Sequence, residues 1–170
     1  MSLRLSKGFT LVELMVTLVV LAVVSAIAFP NFQQLIRSSR VTAANNEIIG
    51  LVNLARTEAI RSGRGGGVCG SSTGAGCDGA WAQGAAAFSD PDGDGQIGAG
   101  TILRHVSFAN GLTVTGPNAN LAFDGRGRSR APANQVFSVR AATCNTNAQQ
   151  QRQLVLNISG QIRSTKGTCS

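Results

Sequence analysis

At 170 residues the chain has room for one domain plus an appendage, and its seven Phe, one Trp, no Tyr and 21 Gly suit a short-stranded β domain better than a helical bundle. Its single histidine, His105, and the lack of any Cys-x-x-Cys leave neither a His-based nucleophilic triad nor a zinc-ligand spacing, so the chain is read as a non-enzyme without cofactor or metal. The net charge of +7 is concentrated late: no Asp or Glu occurs from Gly125 to Ser170, a stretch that suits an anionic partner or a solvated face.

Residues 1–8, MSLRLSKG, are short, polar and basic. Residues 9–29 are apolar with one charge, Glu13. As a helix they would extend roughly the ~30 Å of a bilayer core. Arg4 and Lys7 predict a cytoplasmic N-terminus. A secretory signal peptide would be cut after the apolar region, but Pro30-Asn31-Phe32 follows there, without a small-x-small pattern. The apolar spacing also continues. Leu35, Ile36, Val41, Ala44, Ile48, Leu51, Val52, Ala55 and Ala59 recur at three- and four-residue steps, predicting an amphipathic continuation over 30–62 that ends at Gly63 and a Gly-rich run. Pro30 is expected to bend or loosen this helix. Residues 63–170 are left for the globular domain.

Glu13 is the anomalous residue of the apolar segment. An ionised carboxylate there is costly unless paired, and no Lys or Arg lies between Gly8 and Arg37. Either it is protonated or its partner lies outside its own helix. A cut between Gly8 and Phe9 would create one candidate, a free α-amino group on a neighbouring parallel helix.

The run Lys7-Gly8-Phe9-Thr10-Leu11-Val12-Glu13-Leu14 resembles the cleavage and methylation motif of type IV pilins and type II secretion pseudopilins. The resemblance implies cutting after Gly8 by a prepilin peptidase, N-methylation of Phe9, and use of Glu13 in subunit docking. It implies a single pass through the bacterial inner membrane with a periplasmic C-terminal domain, then entry into a pilus or pseudopilus. Implied partners are major and minor pilins and the inner-membrane assembly platform. Residues 51–61, LVNLARTEAIR, resemble the helix end of the GspH/FimT/FimU group, L-x-x-A-R-[ST]-E-A-[IV], and Phe123-Asp124-Gly125-Arg126-Gly127 is similar to a turn of that group. The group implies an α+β, pilin-like fold: a long N-terminal hydrophobic helix, half transmembrane and half amphipathic, packed on a small antiparallel β domain of two sheets.

The later residues agree. Strand-like stretches cover 81–88, 102–108, 111–114, 120–123, 136–140 and 153–158, separated by turn signals such as Asp92-Gly93, Asn110-Gly111, Asp124-Gly125 and Ser159-Gly160. Cys69, Cys77, Cys144 and Cys169 read as two disulfides of an oxidising compartment; we pair Cys69 with Cys77 and Cys144 with Cys169, one of three connectivities that four cysteines permit. Asp90-Pro91-Asp92-Gly93-Asp94-Gly95 opens like a calcium loop, but Thr101 stands where the closing Glu belongs, so it reads as a polar turn with calcium as the alternative.

Arg126, Arg128 and Arg130 sit on one glycine-bearing turn, and Arg163 and Lys166 follow another. If the two turns share an end of the domain, they form a positive tip able to hold phosphates. DNA-binding pilins of the FimT type are similar, with a Gly-Arg-x-Arg motif near the C-terminus. Here the matching stretch is Gly160-Gln161-Ile162-Arg163, so only Arg163 carries over. Three functions stand: a minor pilin of type IV pilus assembly at the tip or initiation complex, a pilus-borne minor pilin capturing double-stranded DNA for transformation, or a minor pseudopilin of type II secretion.

Overall fold

The computed structural model describes residues 8–144, 146 and 148–169, and at positions 30 and 31 the backbone alone. The expectations for residues 1–7, Arg4 and Lys7 among them, lie outside the described residues, as does the side chain of Pro30. The chain divides into two compact units, Met1–Ile36 and Arg37–Ser170.

One helix, α1 (Leu11–Ser62), runs through position 30 without interruption. Thr10 caps its start, its Oγ1 accepting the Glu13 N–H at 3.2 Å. In the first unit, large apolar side chains such as Leu14, Val20 and Phe29 are all exposed. α1 is long and apolar enough to cross a membrane, and its most apolar stretch is not buried by the rest of the described chain. In the second unit the same helix becomes one-sided. Val41, Ala44, Ile48, Leu51, Val52, Ala55 and Ala59 form a buried stripe at helical spacing. Leu35 and Ile36, which extend that pattern in sequence, are exposed instead.

Two antiparallel sheets complete the second unit. The first contains β1 (Gly65–Gly70), β2 (Gly84–Ser89), β3 (Ile102–Ser107) and β5 (Leu121–Asp124), in the order β3-β2-β1-β5. The second contains β4 (Leu112–Thr115), β6 (Gln135–Ala141), β7 (Gln151–Leu156) and β8 (Ile162–Gly167), in the order β4-β6-β7-β8. Their inner faces close one core with the helix stripe: Val68, Ala85, Ala87, Leu121 and Phe123 from the first sheet, and Val114, Phe137, Val139, Leu154 and Leu156 from the second. Cys69 pairs with Cys77, and Cys144 with Cys169.

Three elements depart from the sequence expectation. β1, which in sequence reads only as the Gly-rich run that ends the helix, is a fully buried inner strand. Its glycines are dictated by closeness. A Cβ on Gly66 would lie 2.6 Å from the Ala55 carbonyl oxygen of α1, and one on Gly65 would lie 2.6 Å from an Asp90 carboxylate oxygen. β8 was not expected at all, since an edge strand needs no apolar alternation. Residues 81–83, expected in a strand, form a turn closed by the Gly84 N–H to the Ala80 carbonyl at 3.3 Å. That turn inserts Trp81 into the core. Its indole N–H donates to Pro117 O at 3.0 Å, and its ring meets Phe137 edge-on with centroids 5.2 Å apart.

The helix–strand contact makes a specific demand on residue 66. Gly66→Ala is expected to lower stability by about 1–3 kcal/mol, because the obstructing atom is backbone and cannot rotate away. Gly76→Ala, where no atom lies within 4 Å, is expected to stay within about 0.5 kcal/mol of the parent. Denaturant melts read through Trp81 fluorescence check both.

Candidate functional site

The N-terminal residues of the motif begin in the open. Gly8, Phe9 and Thr10 precede α1 as exposed, irregular chain, and Glu13 lies in the helix's first turn. A helix start favours a carboxylate, because its unpaired N–H groups carry partial positive charge. Among the described residues Glu13 has no ion-pair partner, and its nearest structural tie is the Thr10 cap. The neighbouring side chains Leu11, Val12, Leu14, Met15 and Val16 are exposed and apolar.

At the C-terminal end of α1 two turns of the same build lie against each other. In the first, Asp124 N–H donates to Arg128 O at 2.9 Å, Gly127 N–H donates to Asp124 O at 2.8 Å, and Gly127 has φ +73°. In the second, Asn157 N–H donates to Gln161 O at 2.9 Å, Gly160 N–H donates to Asn157 O at 3.0 Å, and Gly160 has φ +80°. Both are three-residue hairpin loops whose glycine occupies the left-handed position. Each opens on a side chain that accepts amides: Asp124 Oδ1 from Arg126 and Arg128, Asn157 Oδ1 from Gln161. Ser129 N–H donates to Ile158 O at 3.1 Å, and Arg56 Nε of α1 donates to Gly127 O at 2.9 Å. Glu58, two residues on and so on another side of the helix, instead pairs with Arg61 at 2.8 Å.

This arrangement sorts the five basic residues proposed as an anion site. Arg126 is exposed on the first turn. Arg128 donates to Asp124 Oδ2 at 3.3 Å, and although burial opposes it, the amides of Arg128 and Arg126 together with that guanidinium hold the Asp124 carboxyl below its ordinary range. Arg130 donates to the Gly93 carbonyl and so fixes the Asp90 loop. Arg163 and Lys166 both lie on β8, but three residues apart, hence on opposite faces. The turns share an end, while the five cations do not form one cluster.

Asp90, Asp92 and Asp94 do approach one another, with one carboxylate oxygen from each within 4.8 Å. Asp90, however, is buried, and its oxygens accept the amides of Gly93 at 2.9 Å, Asp94 at 3.2 Å and Gly95 at 2.9 Å. Burial pushes its carboxyl above the ordinary range, helped by Asp92 and opposed by those amides. The group organises a turn. His105, on β3, lies 3.1 Å from the Ser71 carbonyl across its Nε2 and packs against the loop closed by Cys69–Cys77. Sequence reading did not single out Asp78, which braces the same loop: it accepts the Ser72 hydroxyl, the Ser72 amide at 3.0 Å and the Ala80 amide at 2.9 Å. Those bonds lower its carboxyl to about 2.

A bare apolar helix with one carboxylate near its start, continuing into the core of a two-sheet antiparallel domain, defines a pilin-like subunit. The profile of the family described as Type II transport protein GspH matches residues 44–160, and that of the prokaryotic N-terminal methylation motif matches residues 3–29. The first match spans more than half of the sequence, and the chain belongs to the GspH family. The methylation motif implies processing by a prepilin peptidase. No curated protein sequence matches. In fold, the chain is similar to the Pseudomonas aeruginosa type IV minor pilin FimU in two crystal forms. One has a TM-score of 0.56 at 20% identity, covering 74% of this chain and 87% of that one. The other has 0.53 at 18% identity, covering 73% and 91%.

Asp78 gives the loop a defined acid limit. A carboxyl held below its unfolded range stabilises the fold above that range, about pH 4, and the contribution disappears as pH falls towards about 2. The amides of Ser72 and Ala80 are therefore expected to lose hydrogen-exchange protection across that window, and Asp78→Asn to abolish the pH dependence.

Proposed function

We propose that this chain is a minor pilin that takes part in building a type IV pilus. On this reading the peptidase cuts after Gly8, Phe9 becomes the methylated N-terminus, and the apolar part of α1 holds the subunit in the inner membrane with its β domain on the periplasmic side. On assembly the helix leaves lipid for the filament core, where Glu13 meets the α-amino group of a neighbouring subunit. Partners are then other pilins, the peptidase and the membrane assembly platform. The single observation that carries the reading is Glu13 itself, a lone carboxylate with no ion-pair partner among the described residues, on an apolar surface that nothing in the described chain covers. A plain membrane anchor has no use for that residue, whereas an ion pair between subunits requires it. The buried stripe from Val41 to Ala59 holds the later part of α1 in the domain core.

Glu13→Ala is expected to leave membrane insertion and cleavage intact, and to reduce recovery in sheared filaments at least tenfold against the parent. Immunoblots of membrane and filament fractions check this. Normal recovery in the filament fraction would overturn the docking role.

A further inference from the structure

We propose that the free edge of β8 is a docking strand for an extended acidic segment of another protein chain. β8 pairs with β7 over six consecutive residues, from Leu156↔Ile162 to Gln151↔Gly167, without a register shift. Its loop fixes the parity of the hydrogen bonds. Asn157 and Gln161 form the hydrogen-bonded pair next to the turn, so Arg163, Thr165 and Gly167 commit their backbone groups to β7. Ile162, Ser164 and Lys166 then point their N–H and C=O groups outward. Among the described residues no backbone hydrogen bond reaches these outward groups.

The other three sheet edges are less available. β5 is covered by the returning chain, since Arg130 N–H donates to Ala122 O at 2.9 Å and Phe123 bridges Ser129. β3 meets its partner with a register shift at Ala87/Phe88, and its Arg104 is tied to Glu47 of α1 at 2.7 Å. β4 is only four residues long. The far end of β8 is held by the Cys144–Cys169 disulfide and by the Cys169 N–H to Ala148 O at 3.1 Å, so the edge is ordered in advance of binding.

Charge selects the occupant. Arg163 and Lys166 are exposed on opposite faces of β8, Arg152 lies across from Lys166, and the sequence holds no acid after Asp124. Basic residues on an edge strand repel a second copy of the same edge. They attract a strand whose carboxylates, three residues apart, reach Arg163 on one face and Lys166 on the other. Nucleic acid offers no backbone donors and acceptors at strand spacing, and two cations on opposite faces do not follow one phosphate chain. That the acidic segment comes from a neighbouring subunit rests on the assembly role proposed above. The edge's preference for acidic strands does not rest on it.

The test uses the full chain in detergent micelles with two eight-residue probes of Thr and Val, one carrying two Glu three residues apart and the other two Lys. The Glu peptide is expected to slow amide exchange at Ile162, Ser164 and Lys166 at least tenfold, and the Lys peptide to leave it unchanged. Arg163→Glu with Lys166→Glu should reverse the preference. Ser164→Pro removes one outward donor from a position where an edge strand tolerates proline, and should abolish protection, while Ser164→Ala retains it. Equal effects of both peptides would overturn the proposal. So would protection that rises with chain concentration without peptide, which would indicate self-pairing, or protection by a duplex DNA oligonucleotide in place of the Glu peptide. Filament recovery is not read in this experiment, so its failure is separable from failure of the assembly role.

Discussion

The domain depends on how closely α1 approaches β1. Gly66 lies under the Ala55 carbonyl, and Ala55 and Ala59 are the small residues of the helix at that level. Small side chains on both partners bring the two backbones together, and the rest of the first sheet follows that spacing. Gly67 and Leu121 cross the β1–β5 pair with no room for a side chain on Gly67, and the Gly84-Ala85-Ala86-Ala87 run of β2 has only methyl groups to place. The larger apolar volume of this core is supplied by Phe123, Phe137, Leu154 and Leu156. A core poor in aromatics is thus a consequence of tight helix–sheet contact, with the few aromatics filling what remains.

The paired turns at the end of α1 extend the same logic to the domain's rim. Each sheet contributes one three-residue hairpin loop, the first leaving β5 and the second joining β7 to β8. Gly160 is in close contact with the Gly127 carbonyl, leaving no space for a Cβ. Left-handed glycine is needed twice there, once for each loop's geometry and again because the loops touch. Arg56 links the helix to this contact through a single carbonyl. The result couples the two sheets at one end through backbone and one guanidinium, with little apolar burial. Polar capping of this kind leaves Arg126 outward while keeping the turn beneath it fixed.

The sequence made the helix legible because its signals are local. A 3.6-residue apolar repeat, one glycine stop at Gly63 and a named motif around Glu13 locate it within a residue or two of the observed end. The turns at Asp92-Gly93, Asn110-Gly111, Asp124-Gly125 and Ser159-Gly160 are equally visible, whereas the link from β6 to β7 carries no glycine. β1 was hidden because glycine reads as a loop former, and only the position of Ala55, several turns of chain away, explains why a strand must be made of it. β8 was hidden because Ile162–Gly167 has pairing on one side only and carries no apolar pattern. Of the basic residues, the separation of Arg163 from Lys166 follows from strand parity once β8 is known. The engagement of Arg130 with Gly93, 37 residues away, could not be read from order in the chain. Asp78 is hidden for the same reason: its partners are two backbone amides and the Ser72 hydroxyl, a set that no residue pattern displays.

The charge layout ties the two ends of the molecule to different kinds of contact. The apolar part of α1 offers a single acidic group, and the residues after Asp124 offer only basic ones. In a low-dielectric helix bundle one carboxylate is enough to fix register, because leaving it unpaired is costly and only an amine at the right height relieves it. On the proposed reading that amine lies four residues from Glu13 along the cleaved chain, so a neighbour must be displaced axially for its own amine to reach. The exposed cations of β8 work in water, where each pair is weak and screened. Specificity there has to come from the backbone ladder, with charge choosing among strands that could all pair. On the two proposals together, a subunit whose helix sets register by one strong contact uses its β8 edge to discriminate between neighbours.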